Sequence, residues 1–272
     1  MFEFAIIDAF SDRPFTGNPA ATLVLEAFPD SSLMQAIAAE MNLSETAFAV
    51  PLAPNHYHLR WFTPRQEVPL CGHATLAMAH YLRERSLVDV QQPLSFDTQR
   101  QRLTVFFTPA GITLDFPAHF PHLITQTTEI VPGIHQGYKV GDYWLVELEH
   151  ATAVQQFVPD LGAIAQLPTL GLIITARGDA HDPDSIDFVS RFFAPQAGIP
   201  EDPVTGSAHC GLAPYWQPRL QKQSFRARQC SPRQGLLTVT LRGDRVLITG
   251  QSITTAQGQL LIAPEPSTEG SD

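Results

Sequence analysis

Apolar residues broken only by Glu3 and Asp8 over Phe2–Phe10 predict a strand, and a second apolar run at Ala21–Leu25 predicts another. Between them lies Arg13-Pro14-Phe15-Thr16-Gly17-Asn18-Pro19, whose proline, glycine and asparagine supply fixed or positive φ and mark a turn. Asp30 or Ser31 can cap a helix running to about Met41, with Leu33, Ile37 and Met41 four apart on one buried face. Strand character resumes over Thr46–Val50 and Leu59–Phe62, and a loop runs from Thr63 to Gly72. A helix then opens at Gly72-His73 and closes on Arg83-Glu84-Arg85, where cations suit the carbonyl end of the dipole.

The second half repeats this order of elements. Strands are expected near Tyr143–Glu147, Leu170–Ala176 and Asp187–Phe193, a helix near Asp160–Gln166, and later strands at Leu236–Leu241, Val246–Ile248 and Leu260–Ala263. The letters repeat as well. Arg60-Trp61-Phe62-Thr63-Pro64 set over Arg191-Phe192-Phe193-Ala194-Pro195, and Gly72–Leu82 over Gly206–Trp216, agree at seven of sixteen positions, against about one for unrelated residues. These observations predict an α+β fold made of two similar halves, residues 1–118 and 119–263, joined near Phe116-Pro117-Ala118-His119-Phe120-Pro121, with 264–272 as a loose polar tail.

Composition narrows the function. The 272 residues are 44% hydrophobic and 16% charged, enough apolar material for a full core, with a net charge of -10. Lys139 and Lys222 are the only lysines, so no basic stripe is available for nucleic acid. Cys71, Cys210 and Cys230 are odd in number and far apart, which fits a reducing compartment better than a disulfide framework. The first residues read as a strand and not as a signal peptide, and no apolar stretch approaches membrane-spanning length; a soluble cytoplasmic chain is expected. Phosphate-loop, dinucleotide and Schiff-base signals are missing from the letters, so the chemistry is expected to need no cofactor.

Both halves place a small-residue helix start after a loop: Cys71-Gly72-His73-Ala74 and Thr205-Gly206-Ser207-Ala208. Unpaired N–H groups at such starts bind carboxylate or phosphate, and two facing each other would grip one anion; glycines there also permit tight helix packing. Glu45 beyond the end of the first long helix, His73 at one helix start and Asp202 shortly before the other could exchange protons with a carbon acid if burial tunes them. Each has a plainer reading: Glu45 solvated beside a helix end, His73 bonded to a core carbonyl, Asp202 capping the next helix. Cys71 is a nucleophile, a base or a small buried residue. His209-Cys210 reads as packing, and His56-x-His58 lacks a third metal ligand, so no metal is expected.

Asp8-Ala9-Phe10, Pro14-Phe15-x-Gly17-Asn18-Pro19-Ala20, Leu43-Ser44-Glu45-Thr46-Ala47-Phe48, Cys71-Gly72-His73-Ala74-Thr75 and Glu201-Asp202-Pro203-Val204-Thr205-Gly206-Ser207-Ala208 together resemble the PhzF family, in family order across most of the chain. The resemblance implies the diaminopimelate-epimerase-like fold, two pseudo-symmetric halves each with a curved sheet around a central helix. It implies a cofactor-independent isomerase that shifts a proton on a small anionic substrate such as a dihydro-hydroxyanthranilate, and a homodimeric assembly. It assigns Glu45 as acid/base group, supported by His73, Asp202 and Ser207, with the substrate carboxylate held near Gly72, His73, Gly206 and Ser207. In that scheme Glu45 takes the proton and returns it elsewhere, for which its pKa should be raised. Related epimerases use one cysteine at each helix start; Cys71 stands at the first position, but Thr205 stands at the second. A one-cysteine epimerase, with Glu45 or Asp202 as the other base, and a non-catalytic binder of anions or proteins are the alternatives.

Overall fold

The repeat in the letters becomes a repeat of strands. In the computed structural model, which describes residues 1–125 and 129–262, the first half runs β1 (Phe2–Ala9), β2 (Asn18–Val24), α1 (Ser31–Met41), β3 (Glu45–Ala53), β4 (His56–Phe62), β5 (Glu67–Val68), α2 (Gly72–Glu84), β6 (Leu94–Asp97), β7 (Arg102–Thr108) and β8 (Gly111–Pro117). After β9 (His122–Thr125) the second half runs β10 (Gln136–Val140), β11 (Tyr143–Glu147), α3 (Ala151–Gln156), α4 (Leu161–Ala165), β12 (Gly171–Arg177), β13 (Phe188–Ala194), β14 (Ile199–Asp202), α5 (Gly206–Leu220), β15 (Ser224–Gln229), β16 (Gly235–Arg242) and β17 (Arg245–Gly250), and β18 (Ser252–Leu260) ends it.

Pairing follows the same plan twice. β2 runs parallel to β3, β3 antiparallel to β4 and β4 parallel to β6, just as β11 runs parallel to β12, β12 antiparallel to β13 and β13 parallel to β15. The halves meet where β8 pairs antiparallel with β17. They also exchange a strand. β18, at the end of the chain, pairs with β1, while β9 pairs with β10.

Several boundaries differ from the expectation. Phe116 and Pro117, read as linker, close β8, because Ile112, Leu114 and Phe116 alternate inward and Pro117 faces Arg245 across the sheet. The final strand is Ser252–Leu260 and not Leu260–Ala263; its polar, half-exposed sequence on an edge carries no apolar alternation to read. Ala263 and the tail 264–272 lie outside the described residues. Helix α1 is capped as expected by Asp30, which accepts from the Ser32 N–H, and ends on Asn42 in the left-handed region. Its buried residues are Met34, Ile37 and Ala38, with Leu33 and Met41 at the margin, since a helix lying on the outside of β3 and β4 turns one face flat to the sheet.

The central helices explain themselves by composition. In α2 every residue from His73 to Leu82 is buried, and in α5 all but one residue from Gly206 to Trp216, a pattern that needs walls on all sides. α2 packs on β1, β2, β3 and β8, and α5 on β16 and β17. Among the described residues no helix is long and apolar enough to cross a membrane. In the core that both halves share, Trp216 stacks on Phe188 with ring centroids 5.8 Å apart and donates its indole N–H to Thr175 Oγ1 at 3.1 Å. Trp216→Ala is therefore expected to lower the unfolding free energy by about 3–5 kcal/mol. Urea unfolding monitored by far-UV circular dichroism measures it, and a loss under ~1 kcal/mol would show that this contact is not a main support of the core.

Candidate active site

The four segments that carry the predicted residues converge where the two central helices begin. Gly72 and Gly206 abut: a β-carbon built on Gly72 lies 3.5 Å from the Gly206 Cα, and one on Gly206 lies 3.6 Å from the Gly72 Cα. Glu45 arrives as the first residue of β3, three residues beyond the left-handed turn at Asn42. His73 is the second residue of α2 and Asp202 the last of β14. All three are buried, with Glu45 and Asp202 8% exposed and His73 4%.

The contacts settle the plainer readings. Glu45 is not a solvated helix-end acid, because its Oε2 lies 3.1 Å from His73 Nε2, though off the line of a good hydrogen bond. His73 is not bonded to a core carbonyl; its Nδ1 faces the Asn18 amide at 3.1 Å and Cys71 Sγ at 3.5 Å. Asp202 does not cap α5. That helix has Thr205 as N-cap with no side-chain cap bond, and the Thr205 hydroxyl and the Asn18 amide both donate to the Asp202 carboxylate. Ser207 shares a 3.0 Å hydrogen bond with Tyr143 Oη. His209 donates from Nδ1 to the Thr205 carbonyl within the core, as packing requires; His56 bonds Asp97, and His58 lies edge-on to Phe28.

Burial sets the protonation states. It raises the Glu45 carboxyl to about 8, helped by the negative charge of Asp202 and opposed by the Cys71 thiol. Burial also raises Asp202, to about 6, with hydrogen bonds from Thr205 and Asn18 holding it down. His73 is pushed down to about 3 by burial and is neutral. Cys71 is driven well above an ordinary thiol by burial, then by Glu45. At neutral pH the site therefore holds a protonated Glu45, an ionised Asp202, a neutral imidazole and a thiol. Glu45, Cys71 and His73 are, among the described residues, the group whose potential metal-ligand atoms lie within 4.8 Å of one another; the three are neutral acids and imidazole at this pH, a set suited to passing protons.

Two site residues escaped the sequence reading. Asn18 was read as part of a turn, and Tyr143 only as the start of a strand; the first is fully buried against His73 and Asp202 and the second faces Ser207. Asn18 stands inside a turn-like motif and is 184 residues from Asp202, so no local signal marks it. The repeat, in turn, breaks at the acids. Matching Phe62 with Phe193 through the strand registers sets Glu45 over Gly171 and Asp202 over Val68.

Comparison with known proteins gives the family and the fold. The sequence profile of the phenazine biosynthesis-like (PhzC-PhzF) proteins matches residues 7–258. An uncharacterized isomerase of Pseudomonas aeruginosa is 47% identical over 265 residues, covering 96% of this chain and 99% of the relative. The crystal structure of a PhzF-family protein from Enterococcus faecalis superposes with a TM-score of 0.89 at 40% identity, covering 96% of this chain and 99% of that one. A probable proline racemase from Agrobacterium radiobacter, 12% identical with a TM-score of 0.67 over 98% of this chain and 95% of its own, shares the fold alone. With a duplicated α+β architecture of the epimerase-like type and a matching profile over nearly its whole length, this chain belongs to the PhzF family of phenazine biosynthesis-like proteins.

Proposed function

We propose that the protein is a cofactor-independent isomerase of the PhzF type, moving a proton on a small carboxylate-bearing substrate between its two halves. The observation that carries this reading is the meeting of buried Glu45, His73 and Asp202 where the two central helices begin, with burial raising Glu45 to about 8 and Asp202 to about 6. That separation keeps Glu45 protonated beside an ionised Asp202, whose negative charge helps to hold the Glu45 proton in place. At neutral pH Glu45 already holds its proton, so it gives before it takes. Its acid proton forms a new C–H bond at one end of an unsaturated carboxylate, the C–H bond at the other end breaks, and that electron pair restores the double bond in its new place. The released proton returns to the emptied Glu45 carboxylate, so the substrate changes only in the position of one hydrogen and one double bond.

The backbone N–H groups of Gly72, His73, Gly206 and Ser207 are the donors for the substrate carboxylate, with the positive ends of α2 and α5 behind them. The burial of all three acid/base groups supports entry of substrate by separation of the halves, which then shut it away from water. Burial also holds Cys71 as a thiol, which speaks against an epimerase that needs a thiolate there. Proton NMR in deuterium oxide, with a dihydro-hydroxyanthranilate and a panel of small amino acids, tests the reading. Deuterium at a shifted double-bond terminus is expected; deuterium at an α-carbon with inversion would instead establish an epimerase, and no incorporation into any of them would count against the isomerase on this substrate class.

A further inference from the structure

Gly17-Asn18-Pro19 has turn letters, but the structure uses it for something else. Gly17 has φ +71°, where a β-carbon would lie 2.3 Å from the Ala9 carbonyl oxygen, and its N–H donates to the Gln234 carbonyl at 2.7 Å. Arg233 donates to the Gly17 carbonyl at 2.8 Å and to Asp8 at 2.8 Å. The second half thus grips the backbone just before Asn18, on the first half, and the Asn18 side chain enters the site with no exposed surface.

Its amide nitrogen lies 2.8 Å from Asp202 Oδ1, 3.0 Å from the Val204 carbonyl and 3.1 Å from His73 Nδ1. A backbone carbonyl only accepts, so the Val204 contact fixes which end of the amide is the NH₂. Two hydrogens serve three acceptors: with one on Val204, the other is shared between Asp202 and His73. His73 Nδ1 faces the NH₂ of this amide, which can only donate, so Nδ1 accepts and the imidazole hydrogen sits on Nε2. Nε2–H then faces Glu45 Oε2, which leaves the acid proton of Glu45 on its other oxygen.

We infer that Asn18 is a positioning residue that couples the two halves of the site, its second amide hydrogen shared between His73 Nδ1, whose tautomer it fixes, and the Asp202 carboxylate, which it holds. The inference rests on the acid/base reading of Glu45 and Asp202, but its test needs neither substrate nor turnover. The titratable and charged groups around the pair are Glu45 from β3, Cys71 at the start of α2, Tyr143 from β11, and Glu201, which is bonded to Arg191 of β13. None of them offers a donor N–H that could replace Asn18 between His73 and Asp202.

The full chain, labelled with ¹⁵N-histidine and ¹³C-aspartate, is compared in its wild-type, Asn18→Ala and Asn18→Asp forms, with His73 and Asp202 assigned by the signals lost in His73→Phe and Asp202→Asn. Asn18→Asp keeps the side-chain shape and so guards against a folding defect in the alanine variant. Long-range ¹H–¹⁵N spectra of the wild type should show His73 protonated on Nε2 alone. In both Asn18 variants that preference should be lost, and the Asp202 carboxyl should titrate about one pH unit higher, a roughly tenfold gain in proton affinity. A folded Asn18 variant in which either the tautomer or the Asp202 titration stays as in wild type overturns the coupling. Retained turnover in Glu45→Gln would overturn the acid/base reading while leaving these two signals free to come out as stated.

Discussion

Glu45→Gln is expected to lower turnover about 10³-fold or more and to make the folded protein more stable above neutral pH. The amide keeps the shape of the acid but cannot give or take a proton, so the reaction loses the group that does both. Stability moves the other way. Glu45 releases its proton at 4.5 in the unfolded chain and at about 8 in the fold. Between those values the folded state holds the extra proton, so the stability linked to it is complete below the lower value and is lost as pH rises through the upper one. At ~1.4 kcal/mol per pKa unit the loss reaches at most ~5 kcal/mol above pH 8. Glutamine does not titrate and escapes it. Steady-state kinetics on the substrate identified by NMR, with urea unfolding at pH 5 and pH 8.5, measures both effects; equal stability gaps at the two pH values would mean that Glu45 titrates as an ordinary surface acid.

The second large effect is on the pH dependence of kcat/KM. Asp202 must be ionised and Glu45 protonated when substrate binds, so the profile should be bell-shaped with limbs near 6 and 8, apparent values that belong to the interacting pair. Asp202→Asn removes the charge that helps to raise Glu45. It should abolish the acid limb, move the alkaline limb to lower pH and lower the optimum rate by about 10²-fold. If the rate rose through pH 8 instead, Glu45 would act first as a base, as the family resemblance alone suggests. If the alkaline limb stayed in place in Asp202→Asn, the two carboxyls would not interact.

What could be read from the letters was the scaffold. Asp30 and Asn42 mark both ends of α1 through side-chain capping and a left-handed turn, which are local chemistry. Gly72 and Gly206 stood out because they occupy equivalent places in a repeat, and they do meet in the fold. The acids were legible by another route, since Glu45 follows the end of one predicted helix, Asp202 precedes the start of another, and both lie in the blocks that carry the family resemblance. Asn18 and Tyr143 were not legible, because their roles depend on partners 55 to 184 residues away that only the strand order brings close. β18 was hidden for a similar reason: an edge strand with polar, half-exposed residues is held by its ladder to β1 and not by an apolar face.

The central claim is that Glu45 keeps its proton at neutral pH inside the fold, and it can be tested without a substrate. The full chain labelled with ¹³C at the glutamate carboxyl is titrated by NMR, with the Glu45 signal identified by its loss in Glu45→Gln. The account predicts one buried carboxyl that remains protonated through pH 7 and titrates near 8. A Glu45 signal that titrates near 4.5 would contradict it.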